Sequence, residues 1–198
     1  MSRVLLASAS PRRRELLALL LADFHCSPMD VDESLLAGET AEGYVARLAR
    51  LKAESALEPG CVVIGSDTTV CLRGELLHKP RDYDDAVGML ARLSGQTHQV
   101  HTAIAIAEGN LIRDTVVTTN VEFDLLDDEL IRTYINTGDC WDKAGAYGIQ
   151  GFAGCFVKRI EGSFSSVVGL PLRETRQLLS DFGVELIPIV NSQSCSDA

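Results

Sequence analysis

LLASASPRRRELL, residues 5–17, joins an apolar run to a small-residue turn and then to a helix start. Residues 3–7 read as a first strand. Ser10 supplies the side-chain oxygen that a helix N-cap needs, and Pro11 suits the first helical position. The spacing predicts a helix from there to residue 21. A strand that feeds a helix N-terminus is the opening unit of an α/β domain. Its free backbone N–H groups and helix dipole favour an anion. Arg12, Arg13 and Arg14 add guanidinium groups suited to phosphate. Taken alone, the segment is equally a capped helix with three solvated arginines. It is not a Walker loop, because GxxxxGK[ST] is absent, and this weighs against kinase-like phosphotransfer.

Outward from this unit the alternation continues. Residues 24–27 read as a short strand and 40–57 as a helix. Residues 61–65 read as a buried strand that delivers Ser66, Asp67 and Thr68 at its end. Residues 70–72 and 75–77 flank a tight turn at Arg73-Gly74. A helix begins at Asp82 or Asp84 and ends near Gly95. Residues 99–107 and 111–125 form a hairpin across Gly109-Asn110. Asp127 caps a helix that stops at Gly138. Residues 139–154 are Gly-rich and weakly periodic, as functional loops often are. Residues 155–160 and 165–168 read as strands, 171–182 as a helix, 184–190 as a last strand, and 191–198 as a frayed tail. The expected domain is a single one over residues 1–198.

The chain has 198 residues, 46% hydrophobic and 23% charged, with a net charge of −10. That length supports a substantial core. The acidic balance argues against a general binder of nucleic-acid backbone, which would be basic. A small phosphorylated ligand needs only a local cationic pocket. No apolar run is long enough for a membrane span. Arg12–Arg14 followed by ALLLADF imitates a signal peptide, but the apolar stretch is too short. A cytoplasmic, reducing setting is therefore expected. None of the six cysteines forms a CxxC pair, and Cys61 and Cys155, in apolar runs, read as buried thiols. His98 and His101 sit three apart on a strand and face opposite sides, so neither is assigned a role. Ser163, Ser165 and Ser166 lack a GxSxG elbow.

Several residues can carry chemistry. Asp67 follows the buried run CVVIG, and a carboxylate there can hold a metal or accept a proton from water. Asp32-Glu33 could serve a hard cation such as Mg²⁺ or could be a solvated acidic loop. Lys52 and Lys79 are cation candidates with surface alternatives. Residues 142–150, DKAGAYGIQ, combine glycines that allow close approach with Gln150, whose amide can read a base edge.

These pieces together resemble the Maf family of nucleoside triphosphate pyrophosphatases. The resemblance rests on LLASASPRRRELL (5–17), VDES (31–34), RLARLKA (47–53), IGSDTTV (64–70), HKPRD (78–82), LSGQTHQVHTA (93–103), DKAGAYGIQG (142–151) and VVGLPLRET (167–175). It implies an elongated, mixed α/β sheet with flanking helices and a cleft between two lobes, similar to the inosine triphosphate pyrophosphatases. It implies hydrolysis of a nucleoside triphosphate to monophosphate and pyrophosphate with Mg²⁺ or Mn²⁺. Asp67 then matches the proton acceptor. Ser8, Arg13, Glu33, Lys52 and Lys79 match substrate-holding positions, with Glu33 and Asp67 the expected metal ligands. Arg12, Thr68 and Gln150 resemble the branch that acts on dTTP and UTP. The branch acting on 7-methyl-GTP resembles Trp, Gln and Glu there, and a Trp ring can stack on a cationic purine where Arg12 cannot. Cys140-Trp141 departs from the family pattern in bulk. A homodimer is compatible with the resemblance. The alternative it leaves open is a nucleotide-sensing regulator of septum formation that acts by binding.

Overall fold

The computed structural model describes residues 3–186. Its organising element is the run CVVIGSDTTVCL, strand β3 (Cys61–Leu72), buried along its length. Twelve residues rich in β-branched side chains, with both ends apolar on both faces, read as a central strand. The expectation of a strand ending at 65 is corrected: Asp67 lies inside a continuous strand, not beyond its end.

One edge of β3 pairs in parallel with β1 (Arg3–Leu6), but only from Cys61 to Ile64. The same edge pairs again, antiparallel, with β4 (Glu75–Leu77), from Val70 to Leu72. Residues 65–69 lie between these two ladders. The other edge pairs without a break, from Val63 to Cys71, with β5 (Thr97–Glu108). β5 forms the expected hairpin with β6 (Leu111–Phe123), and β6 pairs with β7 (Val157–Glu161). β2 (His25–Cys26) extends the sheet beyond β1 in parallel. The seven-stranded sheet runs β2-β1-β3-β5-β6-β7, with β4 on β3. It is the mixed sheet expected.

The two faces differ in kind. In β5 the segment TAIAIAE alternates: Ala103, Ala105 and Ala107 face one way, Ile104 and Ile106 the other. Helix α2 (Ala41–Ser55) lies on the alanine face, with Val45, Leu48, Ala49 and Ala53 turned inward. Thr40 caps it by accepting from the Gly43 amide at 3.1 Å. Small residues let the helix approach closely. At Gly65 an added Cβ would lie 2.1 Å from the Ala49 carbonyl oxygen. The opposite face holds the larger cluster, covered by α1 (Pro11–Leu17), α3 (Tyr83–Leu93), α4 (Asp128–Asn136) and α6 (Leu172–Asp181). Ser10, Asp82 and Asp127 cap α1, α3 and α4 as their sequences require.

Other expectations are corrected. α1 ends at Leu17, and residues 18–20 form turns. Residues 165–168 are not a strand but part of a short helix, α5 (Phe164–Val168), because the Ser163 hydroxyl caps the Ser166 amide at 3.2 Å. Cys155 is exposed, in a 3₁₀ turn (Phe152–Phe156) that precedes β7, whereas Cys61, Cys71 and Cys140 are buried. His98 and His101 do face opposite sides: His98 meets Phe123 and Tyr147, and His101 meets Thr118. Residues 184–186 carry no strand, and the rest of that expected strand and the tail lie outside the described residues. Among the described residues no helix is long and apolar enough to cross a membrane.

Gly65→Ala is expected to destabilise the protein by about 3 kcal/mol, because backbone atoms of α2 rather than a flexible side chain must move. Urea unfolding measures this, and a loss below about 0.5 kcal/mol would show that α2 can shift freely.

Candidate active site

The interruption in the β3 edge opens into a cleft of about 420 Å³. With no neighbouring strand between residues 65 and 69, both faces of β3 reach it. Asp67 points to the α2 face and Thr68 to the α1 face. The cleft is lined by five cationic side chains, Arg12, Arg13, Lys52, Lys79 and Lys143, against three carboxylates, Glu33, Asp67 and Asp142. A chain of net charge −10 thus concentrates positive charge at one place.

Lys52 organises the pole nearest the alanine face. It is a buried residue of α2, one turn beyond Leu48. Its Nζ donates to Asp67 Oδ1 at 2.7 Å and lies 2.6 Å from Glu33 Oε1. The acidic loop is seated by Tyr44, whose hydroxyl donates to the Glu33 carbonyl at 3.0 Å. Asp32 does not join: its carboxylate accepts from the Ser34 amide in a local turn. Burial pushes the Asp67 carboxyl above its ordinary range, while Lys52 and Arg13 pull it back only in part. Burial also opposes ionisation of Glu33, but there the hydrogen bond and charge of Lys52 win and its pKa falls. Two carboxylates on one ammonium are therefore set apart in basicity.

Arg13 is pinned on all sides. Nε donates to the Gly169 carbonyl at 3.0 Å, Nη1 to Ser8 Oγ at 3.4 Å and Nη2 to Thr68 Oγ1 at 3.3 Å. Gly169 has φ 128°, which disfavours any side chain, so its carbonyl can turn toward the arginine. Thr68 continues to Thr102 at 3.0 Å, and Thr102 bonds the Ser166 carbonyl at 2.8 Å. A hydroxyl has one proton, so Thr102 donates to Ser166 and Thr68 donates to Thr102. Burial lowers the Arg13 pKa, against the pull of Asp67, yet a guanidinium stays charged at neutral pH.

Arg12 leaves α1 in another direction. Its Nη1 donates to Asp142 Oδ2 at 3.2 Å, across the cleft. Lys143, buried, donates to Asp142 Oδ1 at 2.7 Å and to Asp139 Oδ1 at 2.8 Å. Arg14 is exposed.

The expected residues thus meet in one place. Arg12, Arg13, Glu33, Lys52, Asp67, Thr68, Lys79 and Gln150 line the cleft, and Ser8 stands one bond behind Arg13. Sequence reading missed Lys143, Tyr44, His78 and Thr102. Lys143 lay inside a quoted motif, but nothing in its spacing shows that it is buried against two aspartates. Trp141 points outward while Cys140 enters the core, so the bulk of that pair does not enter the cleft.

Among the described residues no three His, Cys, Asp or Glu side chains cluster as a protein-only metal cage. Glu33 and Asp67 instead offer two carboxylates. This donor set fits a hard divalent cation that takes one or two carboxylates and completes its shell with phosphate oxygens and water.

The family described as Maf-like protein matches residues 3–182. The dTTP/UTP pyrophosphatase of Escherichia coli strain 536 is 51% identical over 185 residues, covering 92% of this chain and 94% of its own length. A nucleoside triphosphate pyrophosphatase of Shigella flexneri is 50% identical with the same coverage. Among solved structures, the Ham1 protein of Staphylococcus aureus superposes with a TM-score of 0.44 at 17% identity, over 61% of this chain and 71% of that one.

Lys52→Met leaves two carboxylates facing each other without their cation. Stability at pH 7 should fall by about 3 kcal/mol. The deficit should shrink as pH is lowered, because protonation removes the unpaired charges. Denaturant titrations at pH 7 and pH 5 check this, and a deficit that grows toward acid would contradict it.

Proposed function

The chain belongs to the Maf family, and from that premise we propose that it is a pyrophosphatase that hydrolyses dTTP and UTP to the monophosphate and pyrophosphate. The observation that carries the reading is the pairing of a buried carboxylate of raised basicity, Asp67, with a ring of cations on the interrupted edge of β3. Of the relatives of half-identical sequence, the one from Escherichia coli is named a dTTP/UTP pyrophosphatase and the one from Shigella flexneri a nucleoside triphosphate pyrophosphatase.

Asp67 acts as general base. Its Oδ1 is held by Lys52, which fixes the plane of the carboxylate, and Oδ2 takes the proton. The oxygen of the water then forms a bond to the α-phosphorus, and the bond from that phosphorus to the bridging oxygen breaks. The electron pair leaves with pyrophosphate. Arg13, Lys52 and Lys79 neutralise the negative charge on the triphosphate, and Arg13 arrives already oriented by Gly169, Ser8 and Thr68. Preset donors lose little on ordering, which is where phosphoryl transfer gains most. A divalent cation, Mg²⁺ or Mn²⁺, held by Glu33 and Asp67 would add further charge neutralisation. Arg12 and Gln150, with Thr68 beside Asp67, bear on which nucleotide is accepted. The guanidinium of Arg12 disfavours a cationic methylated purine.

Asp67→Asn should lower kcat by about 10³-fold while nucleotide affinity changes by only a few-fold. Product analysis should find pyrophosphate, and orthophosphate as the sole product would overturn the reading. The active form of Asp67 is ionised. Since burial raises its pKa, kcat/KM should be lost as pH falls through a value above the ordinary aspartate figure of about 3.9. An acid limb at or below that value would remove Asp67 from the role of base.

A further inference from the structure

dTTP and UTP differ at the C5 methyl group and the sugar 2′-hydroxyl, and they share one edge of the base. That edge is an imide, an N3–H donor between two carbonyl acceptors. Cytosine presents the opposite at these atoms, an N3 acceptor beside an N4 amine donor. A site that takes both uracil and thymine by hydrogen bonding therefore needs an acceptor for N3–H with a donor beside it.

The cleft contains such a pair. Of its three carboxylates, Glu33 and Asp67 share Lys52 at the end of the cleft assigned to the reaction. Asp142 is the third, and it is fixed from both sides: Oδ2 accepts from Arg12 and Oδ1 from Lys143. Lys143 cannot swing away, because it is buried and also donates to Asp139. Yet the Asp142 side chain remains 62% exposed. Each carboxylate oxygen has two lone pairs, so acceptor capacity is left over for a ligand.

Arg12 and Arg13, adjacent on α1, divide the cleft. Arg13 points to Gly169 and Thr68, beside the reacting carboxylate, and Arg12 spans to Asp142. The same cleft carries an apolar wall, Val70, Val100, Tyr147, Ile149 and Val168, against which a flat ring can lie.

We propose that Asp142 recognises the pyrimidine imide, its carboxylate accepting the N3–H while Arg12 beside it donates to a ring carbonyl. The inference rests on the pyrophosphatase reading and names the specificity contact within that site. Burial opposes ionisation of Asp142, but Lys143 and Arg12 outweigh it and hold its pKa below the ordinary value. It is an acceptor only at neutral pH, as the imide requires. Cytosine N3 would meet a lone pair with a lone pair.

The test compares UTP, CTP and N3-methyl-UTP, which lacks the imide proton, by pyrophosphate release. It uses the full-length protein, Asp142→Ala and Asp142→Asn, with thermal unfolding run alongside. The unaltered protein should use CTP and N3-methyl-UTP about 100-fold less well than UTP. Asp142→Ala should bring UTP and N3-methyl-UTP to within about threefold of each other, because the contact that told them apart is gone. Asp142→Asn is isosteric, so it carries the test if the alanine variant does not fold. Its amide can donate to cytosine N3, and the CTP-to-UTP ratio should rise by at least about tenfold. Equal use of UTP and N3-methyl-UTP by the unaltered protein would overturn the proposal. So would an equal fall for all three nucleotides in both variants, which is what a mere clasp on the loop predicts. If the unaltered protein releases no pyrophosphate from UTP at all, the pyrophosphatase reading itself fails and the inference falls with it.

Discussion

Everything at the site depends on the gap in the edge of β3. Between the last rung to β1 at Ile64 and the first rung to β4 at Val70, the strand pairs with no strand on that side among the described residues. Backbone groups left unpaired inside a protein are costly, and proteins tolerate such a gap where polar groups or a ligand fill it. Here the space is given to side chains. Because residues alternate along a strand, a gap of five residues exposes side chains from both faces of the sheet to one cavity. Asp67, which meets Lys52, and Thr68, which meets Arg13, therefore come from opposite sides of a single strand.

The second constraint is steric. Lys52 reaches Asp67 from a helix, α2, that packs closely on the sheet. That closeness comes from Gly65 and from alanines at every second residue of β5. Isoleucines at the intervening positions pack into the larger cluster on the other face. One strand thus presents small residues to one face and large ones to the other, and the helix on the small-residue face carries the lysine. The electrostatics follow from that placement. The burial that raises the Asp67 pKa is the same packing that holds Lys52 within 2.7 Å of it.

Much of this was legible in the residues. Caps at Ser10 and Asp127, the helix start near Asp82, the turn at Arg73-Gly74 and the hairpin at Gly109-Asn110 follow from local chemistry, and they are found in place. Where expectation failed, a local cap, the facing of a turn or a distant strand decided. Residues 165–168 have the β-branched look of a strand, yet a serine cap makes them helical. Cys155 sits among apolar residues but falls on the outer side of a 3₁₀ turn, a direction that composition does not encode. β3 runs past residue 65 because β5 pairs with it, from Val63 opposite Ala107 to Cys71 opposite Gln99, a partner well removed in sequence.

The sequence alone determined the α/β class, the anion-ready start of α1 and the set of charged residues available for chemistry. Those depend on periodicity and on interactions within a few residues. Only the tertiary structure decided how the charges are divided. It committed Lys52 to Asp67 and Glu33, committed Arg13 to Gly169 and Thr68, and sent Arg12 across to Asp142. These contacts join residues up to 156 positions apart. No local pattern carries that information, because which cation meets which carboxylate depends on where the sheet edge opens and how closely a helix can approach it.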